Sequence, residues 1–527
     1  MDPNPSSARG SALVAAGILL SRTAGLIRVS VFAHYFGQRS DAADAFNAAF
    51  RIPNLLQNLF GEGALSASFI PVYAGLLARG EDEKADEVAR GVFVLLSLVC
   101  ATLVLAGVLF APVLIGLIAP GFTGPKRDLT TTLVRILFPG AGLLVISAWC
   151  LGILNSHRKF FISYSAPVIW NAAMIATLLW FGRGRPLDRL AVILAVGSVA
   201  GSALQFLVQL PPVLRVFGHG ARRVPALALT PAVRSVVRNF TPALISRGVV
   251  QLSAYVDTLL ASLLPTGAVT ALMNAQVLYT LPVSLFGMSV SAAELPAMAG
   301  VSGDETARGL ALRTRLGPAL QRLAFFVVPS AVAFLAFGDL IAAAIFQHGR
   351  FQPADALYVW GILAGSAAGL LASTMGRLYS ATFYAMGDTR TPLRFALVRV
   401  SIGTALGYAF AIMAPPRLGL NPLWGTAGLT LAGGMAGWCE FSLLRHALQR
   451  RIGPTGVGAG RLARLLAAAG VAAALGWSLR AQAFSFHPIL RAALVLGPFG
   501  AAYLGLAALL NVPIPALGRR RSAAERR

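Results

Sequence analysis

Long apolar stretches recur along the whole of this 527-residue chain, and most of them are at least about twenty residues long. Twenty residues of α-helix, at about 1.5 Å per residue, cross the hydrocarbon core of a bilayer, which is about 30 Å thick. Only 12% of the residues are Asp, Glu, Lys or Arg, about half the share found in soluble domains. The sequence therefore predicts an all-α polytopic membrane protein with about 14 transmembrane helices. The predicted segments, numbered 1 to 14 along the chain, are 11–35, 43–78, 88–119, 129–155, 161–182, 187–217, 234–264, 269–299, 318–346, 354–385, 391–414, 420–448, 460–482 and 487–512.

The distribution of positive charge sets the expected orientation. The formal net charge is +24 at pH 7, but the basic residues are spread over many short loops, which argues against a nucleic-acid partner. The even-numbered loops and both tails hold roughly 27 Lys and Arg, against roughly 10 in the odd-numbered loops, and basic loops mark the cytoplasmic side. We predict a multi-pass protein of the bacterial inner membrane, in contact with membrane lipids and with both termini in the cytoplasm.

The sequence matches itself at an offset of 225 residues. Matching positions are Ser21-Arg22 with Ser246-Arg247, Ser66-Ala67 with Ser291-Ala292, Pro71 with Pro296, Gly140 with Gly365, and Pro167 with Pro392. We predict an N-lobe over 1–225 with segments 1–6, a C-lobe over 226–450 with segments 7–12, and a third part over 451–527 with segments 13 and 14 and a basic cytoplasmic tail. Transporters built from such repeats hold their substrate between the two lobes.

Arginines inside apolar segments point to an anionic substrate. Arg22 and Arg28 lie in segment 1, Arg51 in segment 2 and Arg247 in segment 7. Each would cost roughly 2.5–3.5 kcal/mol at the bilayer centre, so none is expected to face lipid. A guanidinium stays charged and binds phosphate through two parallel N–H donors, which predicts a cationic substrate-binding cavity. The alternative is that the arginines snorkel to an interface or are neutralised by acids within the protein, namely Asp44, Glu62, Asp257 and Glu294.

Those acids carry two interpretations that the sequence leaves open. Asp257 and Glu294 lie within apolar segments, and Glu62 and Asp44 lie toward helix ends. Carboxylates inside the membrane bind a coupling cation or carry protons in transporters, and they also serve as counter-ions for arginine. We therefore expect coupling to the membrane potential or to Na⁺ or H⁺, with no bound cofactor.

Proline and glycine interrupt segments 2 and 8 at corresponding places. The residues are Pro53, Gly61, Gly63 and Pro71 in segment 2, and Pro282, Gly287 and Pro296 in segment 8. Broken helices in membrane proteins line cavities or act as hinges, which would suit a carrier. Ordinary packing kinks are the alternative.

Motifs of catalysis are missing from the sequence. It contains no Walker loop, no Asp-rich diphosphate–metal motif and no His/Cys spacing typical of a metal site. Cys100, Cys150 and Cys439 lie inside apolar runs and are predicted to be core residues. The sequence therefore predicts a transporter rather than an enzyme, with no catalytic residues and no metal.

Segments 1 and 2 contain motifs that resemble a known family. The motifs are Ser21 to Arg28 (SRTAGLIR), Asp44-Ala45-Phe46, Arg51 to Leu56 (RIPNLL), Gly61-Glu62-Gly63-Ala64 and Phe69-Ile70-Pro71. Three later stretches agree with them, namely Ala119 to Phe122 (APGF), Leu154-Asn155-Ser156 and Gly387 to Pro392 (GDTRTP). Together they resemble the MurJ (MviN) lipid II flippase family over nearly the whole chain.

The resemblance implies a fold, an activity and a set of site residues. It implies the fourteen-helix form of the MOP exporter superfamily, with two six-helix lobes and two extra helices that form a groove for a prenyl tail. The implied activity moves lipid II, an undecaprenyl-diphosphate-linked muropeptide, to the periplasmic leaflet by alternating access. The family's arginines in the first segment correspond to Arg22 and Arg28, and its acid in the second corresponds to Asp44.

Two departures from the family leave the exact lipid-linked substrate open. Gln57-Asn58 stand where the family often has a basic pair, and Val277 and Thr280 stand where segment 8 often carries an Arg and a Glu. We hypothesise that Arg247 and Glu294 compensate for the lost charges.

We therefore expect a lipid II flippase in which Arg22 and Arg28 hold the diphosphate, with Arg51 and Arg247 as further contacts. One alternative is a flippase for another polyprenyl-diphosphate-linked glycan. Another is a cation or drug antiporter of the same superfamily, although such a protein needs an acid-lined cavity and segment 1 offers arginines. A non-transporting membrane scaffold or an integral membrane enzyme is the alternative from a different class.

Overall fold

A computed structural model of the protein describes residues 5–217, 230–299, 305–482 and 486–513, and no β-strand occurs among them. Helices satisfy every backbone hydrogen bond within one segment, which suits a chain whose surroundings are hydrocarbon. The α-helices, in chain order, are α1 (Pro5–Phe36), α2 (Asp41–Phe60), α3 (Glu62–Ala78), α4 (Asp82–Leu109), α5 (Ala111–Ile118), α6 (Gly124–Ser156), α7 (Phe160–Phe181), α8 (Leu187–Leu214), α9 (Pro231–Ser262), α10 (Ala268–Pro282), α11 (Ser289–Ala299), α12 (Glu305–Phe346), α13 (Pro353–Ala385), α14 (Arg390–Tyr408), α15 (Ala414–Arg417), α16 (Gly425–Ile452), α17 (Ala459–Gln482) and α18 (Pro488–Leu509).

All fourteen predicted segments are mainly helical over their described residues. Eleven helices in the described part of the chain are long and apolar enough to cross a membrane, judged by length and composition. The other three predicted segments are 2, 7 and 12, which correspond to α2 with α3, to α9 and to α16, and charged residues within them lower their hydropathy. The all-α membrane fold is confirmed, and the count of fourteen spans stays a prediction.

Segments 2 and 8 are interrupted at corresponding places in the structure. Segment 2 breaks between α2 and α3 at Gly61, where an added Cβ would lie 2.2 Å from the carbonyl oxygen of Gln57. Segment 8 contains a π-helical turn at Val283–Met288 between α10 and α11. The offset of 225 residues carries Gly61 onto this turn, so the two copies of the repeat are interrupted at the same position.

Segment 3 also breaks, which the sequence analysis does not predict. α4 ends at Leu109 and α5 begins at Ala111, with Phe110 between them. Pro112 lies in the first turn of α5. Proline lacks the N–H that would continue the hydrogen bonds of α4, so the helix ends and restarts there.

The chain divides into two units, Met1–Val269 and Thr270–Arg527. In unit 1, α6 packs against α2, α3, α4 and α8, while α7 packs against α1 and α8. α9 follows the predicted lobe boundary at residue 225, yet it packs against α3 and belongs to unit 1. The predicted lobe boundaries are not tested by this contact pattern and stay a prediction.

In unit 2, α13 packs against α16 and α12, and α12 also packs against α17 and α18. α13 and α16 approach closely, because a Cβ added to Gly369 would lie 2.4 Å from the Cα of Gly434. Trp438 strengthens the same interface by donating its indole N–H to the carbonyl oxygen of Ala368 at 2.7 Å. Small residues at such crossings let membrane helices pack by van der Waals contact, so α13 and α16 form a firm pair within unit 2.

Candidate functional site

Arg28 is the predicted site residue with the most defined surroundings. It projects from α1, and its Nε donates a hydrogen bond to Oδ1 of Asn171 on α7 at 2.9 Å. Its guanidinium carbon lies 5.5 Å from the ring centroid of Phe50 and 5.2 Å from that of Trp170. These two rings stack on each other, with their centroids 5.6 Å apart. One amide oxygen and two aromatic faces therefore hold the cation.

The groups that hold Arg28 are themselves fixed. The side-chain nitrogen of Asn171 donates to the carbonyl oxygen of Pro167 at 2.9 Å, so its oxygen is presented to the arginine. The indole N–H of Trp170 donates to the carbonyl oxygen of Ser198 at 3.1 Å. A charged group whose neighbours are locked in this way is preorganised for a ligand.

A row of stacked rings supports Phe50 from the other side. Phe32 stacks on Phe36 at 4.4 Å between centroids, Phe36 on Phe46 at 6.4 Å, and Phe46 on Phe50 at 5.8 Å. Each ring pair contributes about 0.5–1.5 kcal/mol beyond the burial of its area. The aromatic face under Arg28 is thus continuous with the core shared by α1 and α2.

The two terminal nitrogens of Arg28 are open to a ligand. Within the described part of the chain they have no hydrogen-bond partner, and no carboxylate lies within ion-pair distance of them. The side chain is half-buried rather than sealed. An arginine bound only through Nε presents its two Nη groups as a fork, which matches the geometry of a phosphate or carboxylate.

Arg22 lies on the same helix and is exposed. It lies within the apolar stretch Ala16–Phe36 that is long enough to cross a membrane. The structure gives it no hydrogen bond and no ion pair among the residues it describes. A guanidinium in such a helix faces water or a ligand at much lower cost than acyl chains.

Arg51 and Asp257 are charged residues of unit 1 that lie on different helices. Arg51 on α2 is half-buried and interacts electrostatically with Asp257 on α9. Tyr255, on the same helix as Asp257, donates its hydroxyl to the carbonyl oxygen of Arg51 at 2.8 Å. Asp257 and Arg51 attract each other electrostatically, and the predicted role of Asp257 in binding a coupling cation stays a prediction.

Asp44 is buried, with its side chain only 2% exposed. Its Oδ2 accepts a hydrogen bond from Nζ of Lys126 at 2.9 Å and another from the backbone N–H of Gly267 at 2.8 Å. Lys126 also pairs with Asp41 at 3.1 Å. Asp44 is thus held by other protein groups in this structure, and its predicted contact with substrate stays a prediction.

The contacts of Asp44 belong to a network between the loops that follow segments 1, 3 and 7. Gln38 donates from Nε2 to the carbonyl oxygen of Gly267 at 2.9 Å, and the N–H of Gly121 donates to Oγ of Ser262 at 3.3 Å. All three are odd-numbered loops, and they meet at one end of unit 1. This agrees with the assumption that odd-numbered loops share one side of the membrane.

Glu294 is paired with an arginine that the sequence analysis does not single out. Its Oε1 lies 2.7 Å from Nη2 of Arg322, and both residues belong to unit 2. The side chains of Glu62 and Arg247 lie outside the described side chains, so their predicted roles stay predictions.

Sequence reasoning based on charge misses the neutral groups around Arg28. The signal for Asn171 is present, since it is an isolated amide within the apolar segment 5. Lys126 gives no comparable signal, because its pairing with Asp44 joins positions 82 residues apart and depends on the fold. Among the described residues, no group of three or more His, Cys, Asp or Glu side chains is placed to hold a metal ion.

The chain matches a family model over most of its length. The model is described as lipid II flippase MurJ, and it matches residues 32–505. A lipid II flippase MurJ of Burkholderia cenocepacia is 31% identical over 509 residues, which is 93% of this chain and 94% of that protein. A probable lipid II flippase MurJ of Rhizobium meliloti is 31% identical over 439 residues, covering 82% of this chain and 79% of that protein.

Solved structures share the fold. A lipid II flippase MurJ in an inward closed conformation matches with a TM-score of 0.76 and 23% identity, covering 94% of this chain and 98% of that chain. An inward-facing multidrug resistance MATE family transporter of the MOP superfamily matches with a TM-score of 0.63 and 16% identity, over 81% and 95% of the two chains. These likenesses establish a transporter fold, and the family model and the relatives in sequence establish the closer kinship. The chain therefore belongs to the lipid II flippase MurJ family.

Proposed function

We propose that this protein moves lipid II, the undecaprenyl-diphosphate-linked muropeptide used in peptidoglycan biosynthesis, from the cytoplasmic to the periplasmic leaflet of the bacterial inner membrane. Membership of the family supports the proposal, and one observation in this chain carries it. Arg28 is a guanidinium inside an apolar helix, fixed by Asn171 and two rings, and its Nη groups have no partner among the described residues. Such a group suits binding and release of a diphosphate and requires no covalent chemistry.

The proposed mechanism begins with the diphosphate on Arg28 and Arg22. Two cations near the phosphates lower the cost of bringing the charged headgroup to mid-membrane, where an unpaired ion is expensive. The sugar and peptide would cross through a hydrated cleft while the prenyl tail stays in lipid. The repeat and the broken segments 2 and 8 support alternating access, since paired repeats in transporters rock around a fixed site.

The remaining charged residues take lesser parts in this proposal. Arg51 and Arg247 are further contacts for the anion, with Asp257 balancing Arg51. The bonds of Asp44 to Lys126 and Gly267 support a part in fastening the odd-numbered loops to one another. The orientation has both termini in the cytoplasm, which places the Asp44 network at the periplasmic end.

Complementation tests the proposal directly. The chain is expressed in a bacterium depleted of its own lipid II flippase, and growth is scored for wild type, Arg28→Ala and Arg22→Ala. Arg127→Ala is the matched control, since Arg127 is an exposed arginine in the first turn of α6. We expect the wild type and the control to restore growth and the two segment 1 variants to fail. If Arg28→Ala restored growth as well as the wild type does, Arg28 would not be required and the proposal would lose the observation on which it depends.

Depletion in the native host identifies the substrate. We expect lipid II to accumulate in the cytoplasmic leaflet when this protein is depleted. Accumulation of a different polyprenyl-linked glycan would assign the protein to that pathway instead. Export of a cationic dye from vesicles that contain only this protein would favour a cation or drug antiporter.

A further inference from the structure

Unit 2 contains a second group of charged side chains inside apolar helices. Arg377 lies on α13, Arg399 on α14 and Glu440 on α16, and Nη1 of Arg399 lies 3.2 Å from Oε2 of Glu440. Tyr279 on α10 interacts electrostatically with both arginines. Its hydroxyl lies 2.8 Å from Oγ of Ser373 on α13. Four helices of unit 2 thus bring two arginines, a glutamate and two hydroxyls together.

Both arginines lie inside helices that are long and apolar enough to cross a membrane. Arg377 is about 12 Å along α13 from its end at Ala385, and Arg399 is about 14 Å along α14 from its start at Arg390. A short turn joins those two helix ends, so both distances are measured from the same side. Each arginine therefore lies more than two helical turns inside its helix and not at a helix end.

The charges in this group do not cancel. Glu440 pairs with Arg399, whereas Arg377 has no hydrogen bond and no ion pair among the residues that the structure describes. Residues 268–288 of segment 8, which contribute Tyr279, carry no charge. The group therefore holds a net positive charge inside apolar helices, where an unpaired cation is costly. Arg377 is also exposed, so that charge is accessible to a ligand.

We propose that Arg377 and Arg399 form an oxyanion subsite in unit 2, and that Glu440 holds Arg399 while the subsite is empty. The ligand is an oxyanion of the lipid-linked cargo, either its diphosphate or a carboxylate of its peptide, since both fit a guanidinium fork. The identity of the cargo rests on the proposed function. When the anion arrives, Arg399 exchanges Glu440 for the ligand, and Arg377 supplies the second guanidinium.

Glu440 then has a role of its own, because a carrier must release what it binds. A carboxylate that competes for Arg399 weakens the bound state and returns the arginine to its resting partner. Removing the carboxylate therefore strengthens binding, whereas removing either arginine weakens it. An ion pair that only stabilises the fold would give losses in the same direction from both partners.

The test measures binding to the full-length protein in nanodiscs, with lipid II and undecaprenyl diphosphate as separate probes. We expect Arg399→Gln and Arg377→Gln each to weaken binding about tenfold, and Glu440→Gln to tighten it severalfold while slowing translocation. Melting temperatures in the same nanodiscs show whether each variant is folded. Weaker binding in Glu440→Gln, or wild-type binding in the exchanged pair Arg399→Glu/Glu440→Arg, would make the pair structural and overturn the subsite.

Arg480→Gln is the matched control, since Arg480 also donates to a carboxylate, that of Asp339 at 3.1 Å, but lies in the last turn of α17. It should bind both probes as the wild type does. Weakened binding of both probes by Arg399→Gln assigns the subsite to the diphosphate, and weakened binding of lipid II alone assigns it to the peptide carboxylates.

The subsite and the proposed function fail in different ways. Loss of binding in Arg28→Ala with full binding in Arg399→Gln overturns the subsite and leaves the flippase proposal standing. Wild-type protein that binds neither lipid overturns the flippase proposal and the subsite with it.

Discussion

At Arg28, neutral groups stabilise a cation that no carboxylate balances within the described part of the chain. A hydrogen bond to a charged group contributes about 1.5–3 kcal/mol, and a cation–π contact about 0.5–2 kcal/mol. Removing a guanidinium from water costs several kcal/mol, so these contacts offset only part of the expense. Water or an anion at the Nη groups must offset the remaining desolvation cost. An arginine whose Nη groups can bind an anion therefore suits a transporter better than one held in an ion pair with a carboxylate.

This balance predicts how Arg28 variants behave. Arg28→Lys keeps the charge but loses both the Nε–H donor to Asn171 and the planar fork. Asn171→Leu keeps the arginine but removes the acceptor that orients it. We expect lipid II translocation in proteoliposomes to fall about 10-fold to 100-fold in each variant, corresponding to one or two charge-assisted hydrogen bonds. Arg127→Lys is the control, and equal rates in Arg28→Lys and wild type would show that charge alone is sufficient.

Sequence could locate Arg28 but could not describe its surroundings. Arginine in an apolar run is visible in the sequence because insertion into lipid is costly. Its partner Asn171 is 143 residues away and reaches it only because α7 packs against α1. The pairings of Glu294 with Arg322 and of Asp44 with Lys126 are likewise set by helix packing. Several acids and bases lie in every lobe, and the sequence alone does not select among them.

At the scale of elements, the loop after segment 3 fits closely against the end of α9. A Cβ added to Gly121 would lie 2.0 Å from the carbonyl oxygen of Ser262, so Gly121→Ala forces the loop away from α9. We expect a loss of about 1–3 kcal/mol in stability, as for other overpacked sites, measured as a lower melting temperature in detergent. Gly116→Ala is the control, since its nearest atom is a flexible arginine nitrogen at 3.6 Å. An unchanged melting temperature for Gly121→Ala would contradict the close fit.

The turn before α14 depends on the ionised form of Asp388. Partial burial raises the pKa of Asp388, but hydrogen bonds from the backbone and hydroxyl of Thr391 and the ion pair with Arg451 outweigh it and lower the pKa to about 2. A carboxylate with a lowered pKa stabilises the fold above its ordinary value near 3.9, and the stabilisation is lost as the pH falls toward 2.

A comparison of Asp388→Asn with the wild type separates the stabilisation by the Asp388 carboxylate from the effects of other carboxylates that titrate over the same pH range. At pH 7 we expect the variant to be less stable by about 1 kcal/mol, because the amide loses the ion pair with Arg451 and the charge-assisted hydrogen bonds from Thr391. The difference in melting temperature should shrink between pH 4 and pH 2, where the wild-type carboxylate becomes protonated. A difference that stays constant over that range would show that the charge of Asp388 contributes nothing to the turn.

At the scale of the whole molecule, the helices can be predicted from hydropathy because the chain lies in a bilayer, but the division into two units cannot. Hydrocarbon admits only chain that satisfies its own hydrogen bonds, so long apolar runs become helices almost without exception. Among the described residues, segments 2, 7 and 12 do not reach the hydropathy of the other spans, and Glu440 of segment 12 is paired with Arg399 of a neighbouring helix. The packing of α9 against α3 within unit 1 is not encoded by a repeat at an offset of 225.

The proposed function also predicts how the molecule responds to membrane potential. A negative charge that moves outward across a membrane with an inside-negative potential gains about 2.3 kcal/mol per 100 mV. The roughly two negative charges of the diphosphate would therefore gain about 4.6 kcal/mol at about 100 mV. If charge movement lies in the slow step, imposing −100 mV across proteoliposomes should raise the initial rate of outward lipid II translocation at least tenfold. Arg28→Ala should lower the rate at every potential yet keep its dependence on potential, because the cargo carries the moving charge. A translocation rate that is independent of the potential but rises with a Na⁺ or pH gradient would instead favour coupling to a cation bound at a carboxylate such as Asp257.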